Sequence, residues 1–133
     1  MFSVTVSDHI MIAHSFQGAE FGPAQRLHGA TFVVEAEFRA PRLDHHQVLV
    51  DIGLAKTALR RVLDRLDYRN LDELPDFAGI NTTVEQLAFH LHQAIAAACR
   101  DGALGEGGRA ITGLRIVLRE SPNAWAAYDG PVG

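Results

Sequence analysis

The chain has 133 residues, enough for one domain with a substantial core, and we expect residues 1–133 to fold as a single unit. With 47% apolar and 21% charged residues, the composition is that of an ordinary globular protein and excludes a disordered or collagen-like chain. The net charge of −4, with eleven scattered arginines and the single Lys56, argues against a nucleic-acid-binding surface, which normally carries a basic face.

The sequence contains no apolar run of the roughly 18 residues that a membrane span needs. Its first residues lack the charged start and continuous apolar centre of a signal peptide. We therefore expect a cytoplasmic protein with no membrane partner. The single cysteine, Cys99, excludes an internal disulfide and suits a reducing compartment.

The first half of the chain predicts two strands separated by a loop. In residues 2–14 apolar side chains alternate with serine and threonine, which predicts a strand, with a bulge near Asp8. Residues 15–27 contain glycine and proline without periodicity, and a loop of this length is often functional. Alternation resumes over residues 31–39 and predicts a second strand with one buried face.

The second half predicts two helices and two further strands. From Asp51, a plausible N-cap, the apolar period becomes helical, with a stripe that runs from Ile52 to Leu66. After an irregular connection a second helix begins at Thr82, where Glu85 three positions on forms the pattern of a capping box. The strands at the end of the chain are predicted in "AITGLRIVLRES" and "AWAAY".

The predicted order is therefore β-β-α-α-β-β. Paired strands at both ends with two helices between them indicate an α+β fold, in which a four-stranded antiparallel sheet carries both helices on one face. The other face remains uncovered, yet alternation puts apolar residues there, such as Met11 and Val33. We therefore expect a homo-oligomer that associates through sheet faces or edges.

Two of the seven histidines stand out as candidates for a site. His14 and His28 each lie at a strand end beside the loop of residues 15–27, and loops held by rigid strands are common positions for sites. Two histidines do not complete a catalytic zinc site, which usually has three protein ligands. Four others are expected to be solvated or structural; they are His45, His46, His90 and His92.

Glu120 is a candidate for ligand binding because it ends a predicted strand and is followed by Ser121 and Pro122. A carboxylate there can accept two parallel N–H bonds from a planar amidine-like edge, such as that of guanidinium, pterin or guanine. An exposed glutamate without a ligand is the alternative reading of the same pattern.

Six segments in order along the chain carry a resemblance to a known family: "IAHSF", "RLHGATFVVEAEF", "VLVDIGLAK", "LDYRNLDEL", "NTTVEQLA" and "LRESPNAWAAY". Together they resemble the 6-pyruvoyl-tetrahydropterin synthase and 6-carboxytetrahydropterin synthase family over nearly the whole chain. The resemblance implies a tunnelling fold in which trimers close a barrel and two trimers stack into a homo-hexamer. It also implies a lyase that acts on a dihydropterin triphosphate.

The resemblance implies a zinc site that is incomplete in this sequence. His14 and His28 match the first two zinc histidines of the family, but the third position is Ala30. The family's catalytic cysteine falls on Ala24, and Cys99 lies elsewhere.

The resemblance also implies residues that move protons and residues that hold the pterin. Asp67 matches the aspartate of the family's proton relay, whereas Tyr68 replaces its histidine. The implied pterin-binding residues are Glu120, Ser121, Thr83 and Glu85.

Three hypotheses follow. The first is a carbon–oxygen lyase with a rearranged site that acts on a dihydropterin triphosphate or a related pterin. The second is a non-catalytic relative that binds a pterin or purine-like ligand or serves as a partner subunit. The third, the chemistry of metal-free aldolases with the same fold, would need a lysine near the ring, and Lys56 in the first helix is the only lysine.

Overall fold

The long strands and helices follow one another along the chain in the predicted order, and several short elements are present in addition. The computed structural model describes residues 1–133. Its elements are β1 (Phe2–His14), β2 (His28–Ala40), α1 (Ile52–Leu63), β3 (Arg69–Asn70), α2 (Val84–Arg100), α3 (Gly105–Gly108), β4 (Gly113–Ser121) and β5 (Ala124–Pro131). Short 3₁₀ helices lie at Ala19–Gln25, Leu71–Glu73 and Pro75–Phe77.

The long hairpin of β1 and β2 is regular. Its antiparallel pairs run from Phe2 and Ala40 at one end to His14 and His28 at the other without a shift of register. The bulge expected near Asp8 is therefore wrong. The Asp8 carboxylate lies 3.2 Å from a guanidinium nitrogen of Arg60 on α1, so an ion pair accommodates this polar residue without a break in the strand.

The sheet has five strands in the order β3-β1-β2-β4-β5, and this corrects the four-stranded antiparallel expectation. The additional strand, β3, lies parallel to β1, with Arg69 opposite Ile12 and Asn70 opposite Ala13. Two residues are too few to show an alternating pattern, so periodicity could not reveal this strand. The α+β class itself is confirmed.

The two long helices, α1 and α2, pack on one face of the sheet around a single hydrophobic core. The even-numbered side chains of β1, β2 and β4 point into it, and Phe32 and Phe38 are almost completely buried. Burial of such a side chain stabilises the fold by about 1.5–3 kcal/mol. The predicted stripes are largely confirmed, except that Ile52, the first residue of α1, points outward and is 52% exposed.

The observed N-cap agrees with the predicted one at α1 and differs from it at α2. Asp51 caps α1 as expected, because its carboxylate accepts a 3.0 Å bond from the Leu54 amide. The cap of α2 is Thr83, whose hydroxyl accepts a 3.2 Å bond from the Gln86 amide. The predicted capping box of Thr82 and Glu85 is therefore shifted by one residue.

The opposite face of the sheet carries no helix. Met11 and Val33 are 47% and 43% exposed there, as the alternation predicts. Association through this face or through the sheet edges stays a prediction. None of the helices combines the length and apolar character that crossing a bilayer requires.

Candidate functional site

Four chain segments meet at one end of the sheet. β1 ends there at His14, and β2 begins beside it at His28. Because β4 runs antiparallel to β2, it ends at the same side with Ser121. The N-terminus of α2 also reaches this end, since Thr82 immediately precedes its cap and contacts His14.

The two histidines of this end form a cross-strand pair. The centroids of the His14 and His28 rings are 4.6 Å apart with an interplanar angle of 62°. Phe16, from the start of the following loop, packs edge-on against His14 at 4.7 Å. His14 is only 3% exposed and His28 is partly exposed, so the pair has one buried and one accessible member.

Each ring is fixed by a hydrogen bond at Nδ1. In His28, Nδ1 lies 2.8 Å from the main-chain oxygen of Arg26. A carbonyl can only accept, so Nδ1 carries a proton, and in the neutral form of the ring Nε2 keeps the electron pair. In His14, Nδ1 lies 3.0 Å from the hydroxyl oxygen of Thr82.

The surroundings of His14 favour a neutral ring. Burial lowers its pKa below the ordinary value of 6.5, and the neighbouring His28 lowers it further. A hydrogen bond with the main chain of Thr82 and the negative charge of Asp72 oppose this shift. Near pH 7 the buried imidazole is therefore uncharged and can accept a hydrogen bond or bind a positive centre through a free nitrogen.

The segment after His14 is tied down by two polar side chains that periodicity did not single out. Asp72 accepts hydrogen bonds from the main-chain amide and the hydroxyl of Ser15. Asn81 exchanges two bonds with the main chain of Gln17, at 2.8 and 3.0 Å. These contacts hold the start of the loop beside the histidines and line a cleft of about 390 Å³.

Asp67 and Tyr68 lie at the sheet edge beyond β1. The Asp67 carboxylate accepts a 2.9 Å bond from the Met11 amide and pairs with Arg60 at 2.9 Å. Tyr68 donates its main-chain N–H to the Met11 oxygen, while its side chain is 81% exposed. The Asp67 carboxylate is thus engaged within the chain, and the Tyr68 hydroxyl is free at the surface.

The residues implied in pterin binding occupy the end of β4 and the start of α2. Glu120 lies in β4 at the register shift between Arg119 and Ser121 in the pairing with β5. It is exposed, and its carboxylate makes no hydrogen bond or ion pair within the chain. The Ser121 hydroxyl accepts a 3.2 Å bond from the Asn123 amide in the hairpin turn. Thr83 caps α2, and Glu85 is exposed on its first turn.

A family model described as 6-pyruvoyl tetrahydropterin synthase matches residues 3–131. The chain belongs to this family. Its fold is similar to that of the 6-pyruvoyl tetrahydropterin synthase of Caenorhabditis elegans, at 20% identity over 97% of this chain and 95% of that chain, with a TM-score of 0.78. The corresponding Plasmodium vivax structure gives 14% identity, 98% coverage of both chains and a TM-score of 0.79.

The structure of the Plasmodium falciparum synthase is also similar, at 15% identity and a TM-score of 0.72, and covers 97% of this chain and 98% of that chain. No curated protein matches the sequence significantly. Identities this low show a shared fold, and the family rests on the full-length family match. This protein is therefore a pterin-synthase-like member of the 6-pyruvoyl tetrahydropterin synthase family.

Within this family member, the residues of a single chain do not fit a zinc site with three protein ligands. Ala30, in the position of the third histidine, packs its methyl group against the core. The chain contains no group of three or more histidine, cysteine, aspartate and glutamate side chains arranged to hold a metal ion. Cys99 is buried elsewhere, and burial raises the pKa of its thiol to about 11, so it supplies no thiolate.

The other histidines have structural surroundings. His92 is 2% exposed and packs its ring 4.8 Å from that of Tyr128, and His90 stacks on Phe77 at 4.7 Å. His45 and His46 lie in the exposed connection before α1. None of these four rings packs against His14 or His28.

Three residues of the site were not among the predicted site residues; they are Asp72, Asn81 and Thr82. One signal was available for two of them. The segment "NTT" before α2 contains three polar residues, and a helix needs only one of them as its N-cap. The remaining two are free to bind elsewhere, and in the structure their partners are His14 and the Gln17 main chain.

Proposed function

We propose that the protein is a carbon–oxygen lyase that acts on a dihydropterin triphosphate or a related pterin through a rearranged site. The observation that carries the proposal is the contact between His14 and His28 at the end of the sheet, in a chain whose whole length matches the family. Two imidazoles held side by side can polarise a bound substrate and accept its protons.

In this proposal each candidate residue has its own role. His14 and His28 bind and polarise the side chain of the substrate. A lyase removes a proton from the carbon next to the breaking C–O bond; an imidazole accepts this proton, and the phosphate group leaves with the electron pair of the C–O bond. Tyr68, with its chain neighbour Asp67, moves protons in this step. Glu120 holds the pterin ring by accepting two parallel N–H bonds, a strong and directional interaction. The other residues at the ring are Ser121, Thr83 and Glu85.

The unusual backbone of Tyr68 supports a functional role for this residue. Its φ angle is 59°, in the left-handed region that bulky side chains rarely adopt. Such conformations cost free energy and cluster at functional sites. An exposed tyrosine hydroxyl at the sheet edge can then serve a substrate bound against a second copy of the chain.

A zinc ion at this site would need ligands from outside this chain. His14 and His28 could supply two nitrogen ligands, and a partner subunit or the substrate would have to supply the rest. Metal analysis of protein purified without a polyhistidine tag is the test. Less than about a tenth of an equivalent of zinc per chain would leave a metal-independent site, because a functional zinc centre is bound stoichiometrically.

A second candidate function is a non-catalytic pterin-binding relative or partner subunit. Ala30 and the engaged Asp67 carboxylate favour it, because two groups that the reaction would use are absent or occupied. Incubation with dihydroneopterin triphosphate separates the two functions. We expect the wild-type protein to release phosphate from this substrate and the His28→Gln variant to lose this activity. Measurable pterin binding without turnover would reject the lyase for this substrate and support the binder.

The assembly belongs to the same proposal. A pterin-like small molecule is the partner of the site, and a homo-hexamer built from two trimers, each closing a barrel, is the proposed assembly. The free edge of β5 supports it, since no residue of the strand is fully buried and its outward main-chain groups have no partner within the chain.

A further inference from the structure

Arg26 is an exposed cation directly beside the accessible histidine of the site. Its main-chain oxygen lies 2.8 Å from Nδ1 of His28, and its own main-chain N–H donates to the oxygen of Pro23 at 3.1 Å. These two contacts fix the position of the residue. Its side chain is exposed and makes no hydrogen bond or ion pair within the chain, so the guanidinium is free to bind a ligand.

Arg26 is also the only lysine or arginine in the segments that meet at this end of the sheet. Residues 15–28, 71–85 and 120–124 contain one arginine and six carboxylates, which are Glu20, Asp72, Glu73, Asp76, Glu85 and Glu120. A substrate with a triphosphate group brings several more negative charges into these surroundings. A cation must offset their repulsion by the carboxylates, and in these segments only Arg26 carries a permanent positive charge.

The order of residues along the sheet matches the order of groups in such a substrate. Arg119 pairs with Val33 on β2, and Glu120 follows Arg119 at about this level. His28, which begins β2, lies roughly 16 Å from Val33 along the strand, and Arg26 is two residues further. A pterin ring held at Glu120 can therefore extend its side chain to the histidines and its phosphates to Arg26.

We propose that Arg26 binds the phosphate groups of the substrate and makes the site selective for phosphorylated pterins. The inference rests on the proposed function, since it assigns one part of that substrate to one side chain. The planar guanidinium can donate two parallel N–H bonds to phosphate oxygens, which adds direction to the attraction of opposite charges. Arg69 is the competing candidate, but β1 and β2 separate its strand from that of Glu120, about 14 Å across the sheet.

The test is calorimetry of the full-length protein, without added divalent cations, with dihydroneopterin triphosphate, dihydroneopterin and inorganic tripolyphosphate. Arg26→Gln removes the charge but keeps the main-chain oxygen that holds His28. We expect it to weaken binding of the triphosphate compound at least roughly tenfold, as for a lost charge-assisted hydrogen bond. Its affinity for dihydroneopterin should stay within about twofold of wild type. Arg26→Lys should lose less, because the charge remains.

Arg42→Gln is the matched control. Arg42 is also exposed, lies beyond the other end of β2 and has no partner within the chain, so its loss should change neither affinity. Unchanged binding of the triphosphate compound by Arg26→Gln would overturn the inference. An equal loss for both pterins would overturn it too, because it indicates a structural role. A loss specific to the phosphorylated compound in Arg69→Gln alone would assign the phosphates to Arg69 instead.

The inorganic probe separates this inference from the proposed function. If wild-type protein binds neither pterin, the lyase and the pterin binder both fail, and tripolyphosphate alone decides the role of Arg26. Binding of tripolyphosphate by wild-type protein that Arg26→Gln loses would support a phosphate-binding arginine. Equal binding by the two proteins, or binding by neither, would overturn it.

Discussion

At the scale of single residues, the site depends on which atom of each side chain is already engaged. His14 and His28 have both Nδ1 atoms bound, and the Asp67 carboxylate is used by Met11 and Arg60. Glu120 is exposed and has both oxygens free. A ligand that approaches this end of the sheet therefore meets the accessible imidazole of His28, with His14 behind it, and one available carboxylate.

The carboxylate of Glu120 should dominate pterin affinity. Each charge-assisted hydrogen bond contributes about 1.5–3 kcal/mol, so Glu120→Ala should weaken binding at least roughly tenfold while the fold stays intact. Calorimetry with a dihydropterin measures this. Glu106→Ala removes a carboxylate that is 94% exposed on α3, which precedes the end of β4 opposite to Glu120, and should bind as wild type does. Equal affinity of the two variants would show that Glu120 does not hold the ring.

The backbone of Tyr68 makes a prediction about stability. A β-branched residue is strained more than an aromatic one at a φ of 59°. We expect Tyr68→Val to lower the free energy of unfolding by about 1 kcal/mol more than Tyr68→Phe, in which only the hydroxyl is lost. Urea denaturation compares them. Two variants of equal stability would contradict the left-handed conformation, whereas loss of turnover in a stable Tyr68→Phe would support the proton-transfer role.

At the scale of elements, α2 connects the site with the core. Its apolar stripe holds the helix on the sheet through Leu87, Leu91 and Ile95. Its N-terminal residues reach the histidines through Thr82. Thus a packing contact far from the site fixes the position of the hydroxyl that contacts His14.

The middle of α2 also makes the fold sensitive to acid. Burial lowers the pKa of His90, the nearby Arg65 lowers it further, and Asp76 opposes the shift. A lowered pKa means that the unfolded chain binds the proton more readily. This stabilising contribution is present above about pH 6.5 and is lost as the pH falls through the lower folded-state pKa.

We expect His90→Phe to reduce the loss of stability between pH 7 and pH 5. The reduction should be a fraction of the roughly 1.4 kcal/mol per pH unit that a full proton difference contributes. Urea denaturation at several pH values measures it. His45→Phe, at an exposed position, controls for the loss of one histidine. Equal pH dependence in wild type and His90→Phe would contradict the role of burial.

At the scale of the whole molecule, the sheet leaves groups without partners in one chain. The free edge of β5 carries main-chain donors and acceptors, and the uncovered face exposes Met11, Val33 and Trp125. Edge strands with unpaired groups readily pair with another chain unless they are protected. Subunit association would cover these groups and bring the sheet edge with Tyr68 near a second copy.

We therefore expect sedimentation at micromolar concentration to show a species of about six times the chain mass, in agreement with the proposed hexamer. Hydrogen exchange should find the outward amides of β5 protected in this species, because a partner strand accepts their hydrogen bonds. The inward amides, already bonded to β4, provide the comparison within the same strand. A clean monomer would rule out the assembly.

The sequence by itself determined the α+β class, the two long hairpin strands and most of the core. These features follow from side-chain periodicity, since a period of two or of 3.6 residues decides which face of an element is buried. It also determined the family, because the six matching segments run in order through the chain. Asp51 as the cap of α1 belongs here too, since the signal is contained in a few neighbouring residues.

Only the tertiary structure decided how distant residues meet. The register of the first hairpin brings His14 opposite His28, the fold brings Thr82 to His14, and β3 pairs with β1. The shift of the α2 cap to Thr83 has the same origin, because Thr82 is engaged by a residue 68 positions away. Hydrogen bonds between remote segments depend on the position of the whole backbone, and local sequence patterns carry no record of that position.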